Sequence, residues 1–380
     1  MTPLKKQCSF KKALATACMA ATIHPTEAAR DIKATLDQAD GAMKLVIQIP
    51  CLNEAGQLPG TLLELPKQLS GFDEVIVLVI DDGSTDDTAA VAREHGVEWL
   101  IRHRRNRGLA SAFTSGLEAS LRLGADVIVN TDADGQYPAS EIPKLVAPIL
   151  LGKADLVIGD RRPGENKGFP LHKRFLQRVG SKLVSRLAGA EIPDAVSGFR
   201  ALSRDAALQT SVLTSFSYTI ETVLQSCHNG LSVVSVPIST RRTIRPSRLF
   251  RSLPQFLIRS GMTILSLQVR YRPLAFLVPS ACVFFLAGCL PVARFLYLSG
   301  IGRGDGHVQS LVLGGVCLLA SLLLLGLAVL AHLCAVNRSI LERMEYLRRK
   351  SLDVISSRDL AAPAVEGSIL PVNARAVSHG

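Results

Sequence analysis

Apolar positions along this chain follow two different patterns. Between residues 43 and 240, short β-branched runs end on polar turn residues and alternate with longer stretches of helical spacing. Residues 43–50, 74–81, 125–131 and 155–159 read as buried strands. Residues 57–69, 85–95, 108–123 and 141–151 place Leu, Ala and Val three and four apart, which predicts helices with one apolar face. Strands alternating with helices of this length predict an α/β fold with a doubly wound, mostly parallel sheet. From residue 273 the pattern changes. Residues 273–293 run without a charge, and residues 308–331 without a charge or a His. At about 1.5 Å per residue each run can cross a hydrocarbon core of about 30 Å. A two-helix transmembrane hairpin is therefore expected after the α/β part.

Charge sets the orientation of that hairpin. Eight Arg (241, 242, 245, 248, 251, 259, 270 and 272) and no acid lie between residues 241 and 272. After the second run, residues 337–350 hold five basic residues against Glu342 and Glu345, while the connecting residues 299–307 carry only Arg303 and Asp305. The positive-inside bias puts both flanks in the cytoplasm and the short loop outside. Over the whole chain, 43 Lys and Arg stand against 32 Asp and Glu, a net charge of +11. With one Trp and five Tyr, few aromatics are available to stack on bases, so the basic excess points to membranes or phosphates and away from nucleic acid. The eight Cys contain no C-x-x-C pair, which excludes a zinc ribbon and argues against a disulfide scaffold. Lys5, Lys6, Lys11 and Lys12 precede an Ala-rich run that loosely resembles a signal peptide, but it is short and weakly apolar. A disordered extension is expected there, with Met43 as an alternative start.

Ligands of open α/β sheets bind beyond the carboxyl ends of the strands. Polar residues gather at those ends: Pro50-Cys51-Leu52-Asn53-Glu54, Asp81-Asp82-Gly83-Ser84 and Asp132-Ala133-Asp134. Neither G-x-G-x-x-G nor a P-loop occurs, which leaves no dinucleotide or P-loop signature. In extended backbone Asp132 and Asp134 project to the same side and can meet one hard cation, with Gln136 two residues on. An N-cap or Asx turn is the plainer account of the same pair. At Asp81 and Asp82, Gly83 permits a positive φ and Ser84 or Thr85 can cap the next helix. Two adjacent carboxylates there still call for a cation, a sugar or a base edge to offset their repulsion. His103-Arg104-Arg105 reads as a solvated strand end or else a phosphate neighbour. Arg200 reads equally as a core-edge ion pair or an acceptor contact, with Asp194 orienting either Arg200 or the acceptor. His172 and Lys173 read as surface residues.

Taken together, IPCLNE (49–54), VIDDGSTDDT (79–88), NRGLASAFTSGL (106–117), TDADGQYP (131–138), GDRR (159–162), DAVSGFRALSR (194–204), Glu221 and VPIS (236–239) resemble the inverting family 2 glycosyltransferases. The likeness is to the polyprenyl-phosphate branch, which includes dolichol-phosphate mannosyltransferase and undecaprenyl-phosphate sugar transferases. It spans about four-fifths of the chain, residues 44–350. The resemblance implies a GT-A-like nucleotide-diphospho-sugar transferase fold and a metal-dependent, inverting hexosyltransferase. It implies a nucleotide pocket at Pro50, Leu52, Glu54, Ile80 and Asp82. It implies a diphosphate and Mg²⁺ or Mn²⁺ site at Asp132, Ala133, Asp134 and Gln136, with Arg161 beside it. Asp134, Arg200, Arg242 and Arg248 are the implied catalytic residues, the last two on an acceptor loop. There the family's usual Gly-Glu-Ser-Lys-type loop is replaced by Arg245-Pro246-Ser247-Arg248, and Gly135 replaces a Leu or Phe.

The expected organisation is an extension (1–42), a cytosolic transferase domain (43–240), a basic interfacial amphipathic segment (241–272), the hairpin (273–337) and a cytosolic tail (338–380). The expected partners are a nucleotide diphosphate sugar, a polyprenyl phosphate and the bilayer, with no nucleic acid; assembly as a homo-oligomer stays open. Such a chain is a multi-pass protein of the cell inner membrane with its catalytic domain in the cytoplasm. Two alternatives make different demands on the sequence. A processive polysaccharide synthase should carry Q-x-x-R-W, whereas the only Trp is Trp99 on an early strand. A non-catalytic scaffold should have lost Asp82, Asp132, Asp134, Gln136 or Arg161, all of which are present.

Overall fold

The computed structural model describes residues 43–162, 171–212, 218–241, 261–262, 266, 273–301, 308–356 and 370–371. Expectations for residues 1–42, for His172 and Lys173 as side chains, and for Arg242, Arg248 and nearly all of 241–272 lie outside the described residues. The chain divides into two compact units, residues 1–246 with 349–380, and residues 247–348.

In the first unit, the expected strand and helix alternation is present. It begins β1 (Lys44–Cys51), α1 (Leu58–Glu64), β2 (Glu74–Asp81), α2 (Thr88–Glu94), β3 (Trp99–Arg102), α3 (Leu109–Arg122) and β4 (Val127–Asn130). It continues α4 (Ile142–Leu150), β5 (Leu156–Asp160), α5 (Leu171–Ala188), β6 (Arg200–Ser203), α6 (Arg204–Gln209), α7 (Tyr218–His228) and β7 (Val233–Pro237). The sheet runs β7-β5-β6-β4-β1-β2-β3-β8, where β8 is the short segment Leu370–Pro371. Neighbours pair in parallel except β6, antiparallel between β4 and β5, and β8 on the edge. The strand β6, which is only RALS, carries an Arg at its first position and gave no apolar run to detect.

Helix boundaries tighten where backbone chemistry intervenes. The chain leaves α1 at Leu65, whose extended φ/ψ is what a following proline, Pro66, imposes. Helix α2 starts at Thr88 and not at 85, because Ser84, Thr85 and Asp86 are engaged in a loop network described below. A 3₁₀ turn over Ala139–Glu141 leads into α4. Strand β1 is buried along almost its whole length, with Leu45, Ile47, Ile49 and Val46 all without exposed surface, as a central strand covered on both faces must be. Register aligns the carboxyl ends: Cys51 lies beside Asp81, Gln48 beside Asn130, and Asn130 beside Arg200.

The second unit contains α8 (Pro273–Gly300) and most of α9 (Val308–Ser356). Both are long and apolar enough to cross a membrane. Helix α9 does not stop with its apolar run and continues to Ser356. Leu277, Ala281, Ser321 and Ala328 are buried, whereas Phe284, Phe285, Leu286, Leu319 and Leu323 are exposed. The helices approach closely through glycine: a Cβ on Gly314 would stand 2.6 Å from Val292 Cγ2, and one on Gly288 2.9 Å from the Gly314 carbonyl. Ser321 Oγ donates to the Ala281 carbonyl at 2.9 Å. Glycines at the closest helix contact and large apolar residues exposed outside it is the arrangement that hydrocarbon surroundings favour.

Candidate active site

The β1 and β2 ends are joined by side chains of the loops that follow them. Asn53 adopts a positive φ of 55°, and its amide N–H donates to Ser84 Oγ at 2.9 Å. Its own side-chain oxygen accepts from the Thr85 N–H at 2.8 Å. Glu54 N–H donates to Thr88 Oγ1 at 2.9 Å, and Ala55 N–H to Asp86 at 3.2 Å. Ser84 and Thr85 therefore hold the neighbouring loop and do not cap α2, whose N-cap residue is Asp87.

The adjacent carboxylates Asp81 and Asp82 are compensated by the protein itself. Asp81 accepts from the Ser84 N–H at 2.8 Å and has Arg102 Nε at 3.1 Å. Asp82 takes three donors: His103 Nδ1 at 2.6 Å, the Arg107 N–H at 2.9 Å and the Gly108 N–H at 2.8 Å. Its Oδ1 is saturated, so only Oδ2 retains a lone pair for a ligand. His103 is not a solvated strand end. It is buried, and its Nε2 lies 3.0 Å from Ser115 Oγ. Pro50 and Ile80 pair in the sheet and are buried, so they form the floor under this edge, with Leu52 and Glu54 nearer the surface.

Beyond β4 the chain turns at once. Strand pairing ends at Asn130, and Asp132–Gln136 form a turn, with Gly135 at φ 69°. Asp134 Oδ1 accepts the Gln136 N–H at 3.0 Å, an Asx turn, and Thr61 Oγ1 of α1 donates to the Ala133 carbonyl at 2.9 Å. The two carboxylates come together in this turn and not along an extended strand. Burial and the neighbouring Asp134 push the Asp132 carboxyl up to about 7, with Arg161 and Arg200 pulling the other way and Glu54 adding to the rise. The Arg241 N–H donates to the Gln136 carbonyl at 2.9 Å, which ties the start of the basic segment to the same turn.

The residues 194–200 wall this turn. Arg161 makes a two-pronged ion pair with Asp194, Nε at 2.6 Å and one terminal nitrogen at 2.9 Å. Asp194 thus orients Arg161 and not Arg200. Arg200 has no exposed surface. It donates to the carbonyls of Ser197, Ala195 and Thr219 and to Thr222 Oγ1, at 2.6–2.8 Å. Neither expectation for Arg200 is met: among the described residues it pairs with no carboxylate, and it has no exposed surface to offer a ligand. It fastens the wall to α7. Behind the wall, Gln48 Nε2 donates to Asn130 Oδ1 at 2.8 Å, and Asn130 Nδ2 donates to the Gly198 carbonyl at 2.8 Å and to Tyr218 Oη at 3.2 Å. Gln48 and Asn130 are polar residues inside otherwise apolar strands, which is the signal the sequence carries for them; Gly198 has no such local signal.

Among the described residues no group of three His, Cys, Asp or Glu could hold a metal. The donor set that does fit a cation is two carboxylates of hard oxygen, one of them pushed up by burial and by its acidic neighbour, which a cation would offset. A divalent ion held so sparsely keeps positions for water and phosphate oxygens.

Residues 46–209 match the model of Glycosyl transferase family 2. Polyprenol monophosphomannose synthase of Mycolicibacterium smegmatis is 32% identical over 218 residues, 54% of this chain and 81% of that protein. UDP-N-acetylglucosamine–dolichyl-phosphate N-acetylglucosaminyltransferase of Methanococcus voltae is 30% identical over 223 residues, 53% of this chain and 86% of that protein. Among solved structures, glucosyl-3-phosphoglycerate synthase from Mycobacterium tuberculosis aligns with a TM-score of 0.48 at 22% identity, covering 62% of this chain and 82% of that one. The chain belongs to glycosyl transferase family 2 and is a glycosyltransferase.

Proposed function

We propose that this enzyme moves a sugar from a nucleotide diphosphate sugar to a polyprenyl monophosphate, with inversion, at the cytoplasmic face of the cell inner membrane. The observation that carries this reading is the Asp132–Asp134 turn, where two carboxylates meet beside Arg161 at the carboxyl edge of the sheet. The names of the two relatives place polyprenyl phosphates among the acceptors of similar chains. Two helices long and apolar enough to span support membrane attachment.

In the reaction, an oxygen of the lipid phosphate attacks the anomeric carbon. That bond forms as the carbon–oxygen bond to the nucleoside diphosphate breaks, and the diphosphate leaves with the electron pair. With a second pKa of about 6 the acceptor phosphate is already an anion at neutral pH. No strong base is then needed. Asp132 and Asp134, with Gln136, would hold Mg²⁺ or Mn²⁺, which supplies positive charge for the leaving diphosphate. Arg161, aimed by Asp194, faces the same turn as a fixed cation. Asp82 Oδ2, Leu52 and Glu54 border the place for the nucleoside. Arg242 and Arg248 follow Arg241, whose backbone is anchored on Gln136, and are proposed to reach the acceptor phosphate.

A panel of radiolabelled nucleotide sugars, given to the full chain in detergent with and without polyprenyl phosphate, tests the reading. Label should partition into lipid only with the acceptor present, and excess chelator should stop it. Label released as free sugar regardless of acceptor, or built into a polymer, would overturn it.

A further inference from the structure

Gly198 does not adopt a positive φ, so no left-handed backbone requires a glycine there. What requires it is space. A Cβ at this position would stand 3.0 and 3.1 Å from the two carboxylate oxygens of Asp132 and 3.2 Å from Tyr218 Oη. Something would have to yield by a few tenths of an ångström, and the surroundings decide what.

The backbone cannot retreat. The Gly198 carbonyl is held by Asn130 Nδ2, itself fixed by Gln48 within the sheet. On either side, the Ser197 carbonyl is held by Arg200, and the Phe199 carbonyl accepts the Gly159 N–H at 2.9 Å. Tyr218 cannot move either. It is buried, with its ring stacked on Phe113 at a centroid distance of 4.1 Å. Of these neighbours only Asp132 keeps some exposed surface, so it is the one that yields.

We propose that Gly198, pinned by Asn130, is a positioning residue that sets how far the Asp132 carboxylate stands from the cation. The proposal rests on the reading of Asp132 as a cation ligand. Ligand distances in metal sites hold to within about 0.2 Å, so a methyl group that drives the carboxylate forward by more than that degrades the site without altering any ligand. Residues that orient ligands from behind typically change metal affinity by about 10–100-fold.

Mn²⁺ binding is the direct readout, followed by electron paramagnetic resonance on the full chain in detergent, with UDP or GDP present. Gly198→Ala should bind Mn²⁺ at least about tenfold more weakly than wild type. Asn130→Ala keeps the glycine but frees its carbonyl, and should weaken binding in the same direction; it carries the test should Gly198→Ala fail to fold. Leu45→Ala, a core cavity at the opposite end of β1, should lower the melting temperature and leave Mn²⁺ affinity unchanged. Wild-type affinity in Gly198→Ala, or in a folded Asn130→Ala when Gly198→Ala does not fold, overturns the proposal. So does an equal loss in Leu45→Ala, which would mean that general softening is enough. If wild type itself binds no Mn²⁺ with either nucleotide, the cation reading fails first and this one with it.

Discussion

At the scale of single residues, the active edge is dominated by carboxylates whose charge the protein treats in opposite ways. Asp82 is given three donors, whereas Asp132 is left half-buried beside Asp134. The folded-state pKa of Asp132, about 7, lies above the ordinary value of about 3.9. Between those values the metal-free folded chain binds a proton that the unfolded chain does not, so this group's contribution falls as pH rises through that window. In chelator, Asp132→Asn should therefore melt close to wild type near pH 4 and increasingly above it towards pH 8. Adding Mn²⁺ at pH 8 should raise only the wild type. Circular dichroism melts of both proteins check this, and parallel curves across the pH range would remove Asp132 from the account. Asp134→Asn should cut turnover by orders of magnitude with little change in melting, measured by lipid-label formation. His103→Ala removes one donor from Asp82 and should raise the KM for the nucleotide sugar more than it lowers kcat. Equal loss in both parameters for acceptor and donor alike would assign His103 a general structural role.

At the scale of elements, the site depends on loops held by one another and by the wall between β5 and β6. Ser84→Ala deletes the acceptor for the Asn53 N–H, and should cost about 1 kcal/mol, readable as a shift in denaturation midpoint. Helix contacts in the second unit are just as specific. Gly314→Val places bulk where Val292 and the Gly288 carbonyl already stand, and should sharply reduce the yield of folded, monodisperse protein on size exclusion. Gly326→Val, with nothing within 4 Å of its Cβ position, is the matched control and should behave as wild type. The sequence showed both apolar runs, but not which of their glycines meet, because composition records hydropathy and not rotation about the helix axis.

For the whole molecule, charge assigns the orientation of the hairpin. A reporter fused at position 302 should read periplasmic, and one fused after Lys350 cytoplasmic; the same compartment for both would overturn the topology. Much of this protein was legible before any coordinates. Alternating strand and helix patterns, acidic strand ends and two long uncharged runs depend on local composition and period, which the linear sequence carries directly. The order of motifs was specific enough to identify the family. What only the tertiary structure decided is which polar groups satisfy each other. Asp194 could serve Arg200 or the acceptor and instead pairs with Arg161, His103 could face water or a phosphate and instead is buried against Asp82, and Gly198 looked like any other glycine. Those choices depend on residues distant in the chain meeting at a spacing of about 3 Å, and a strand register of one residue would change every one of them. The sequence names the chemical groups; the fold settles which of them remain available for a ligand.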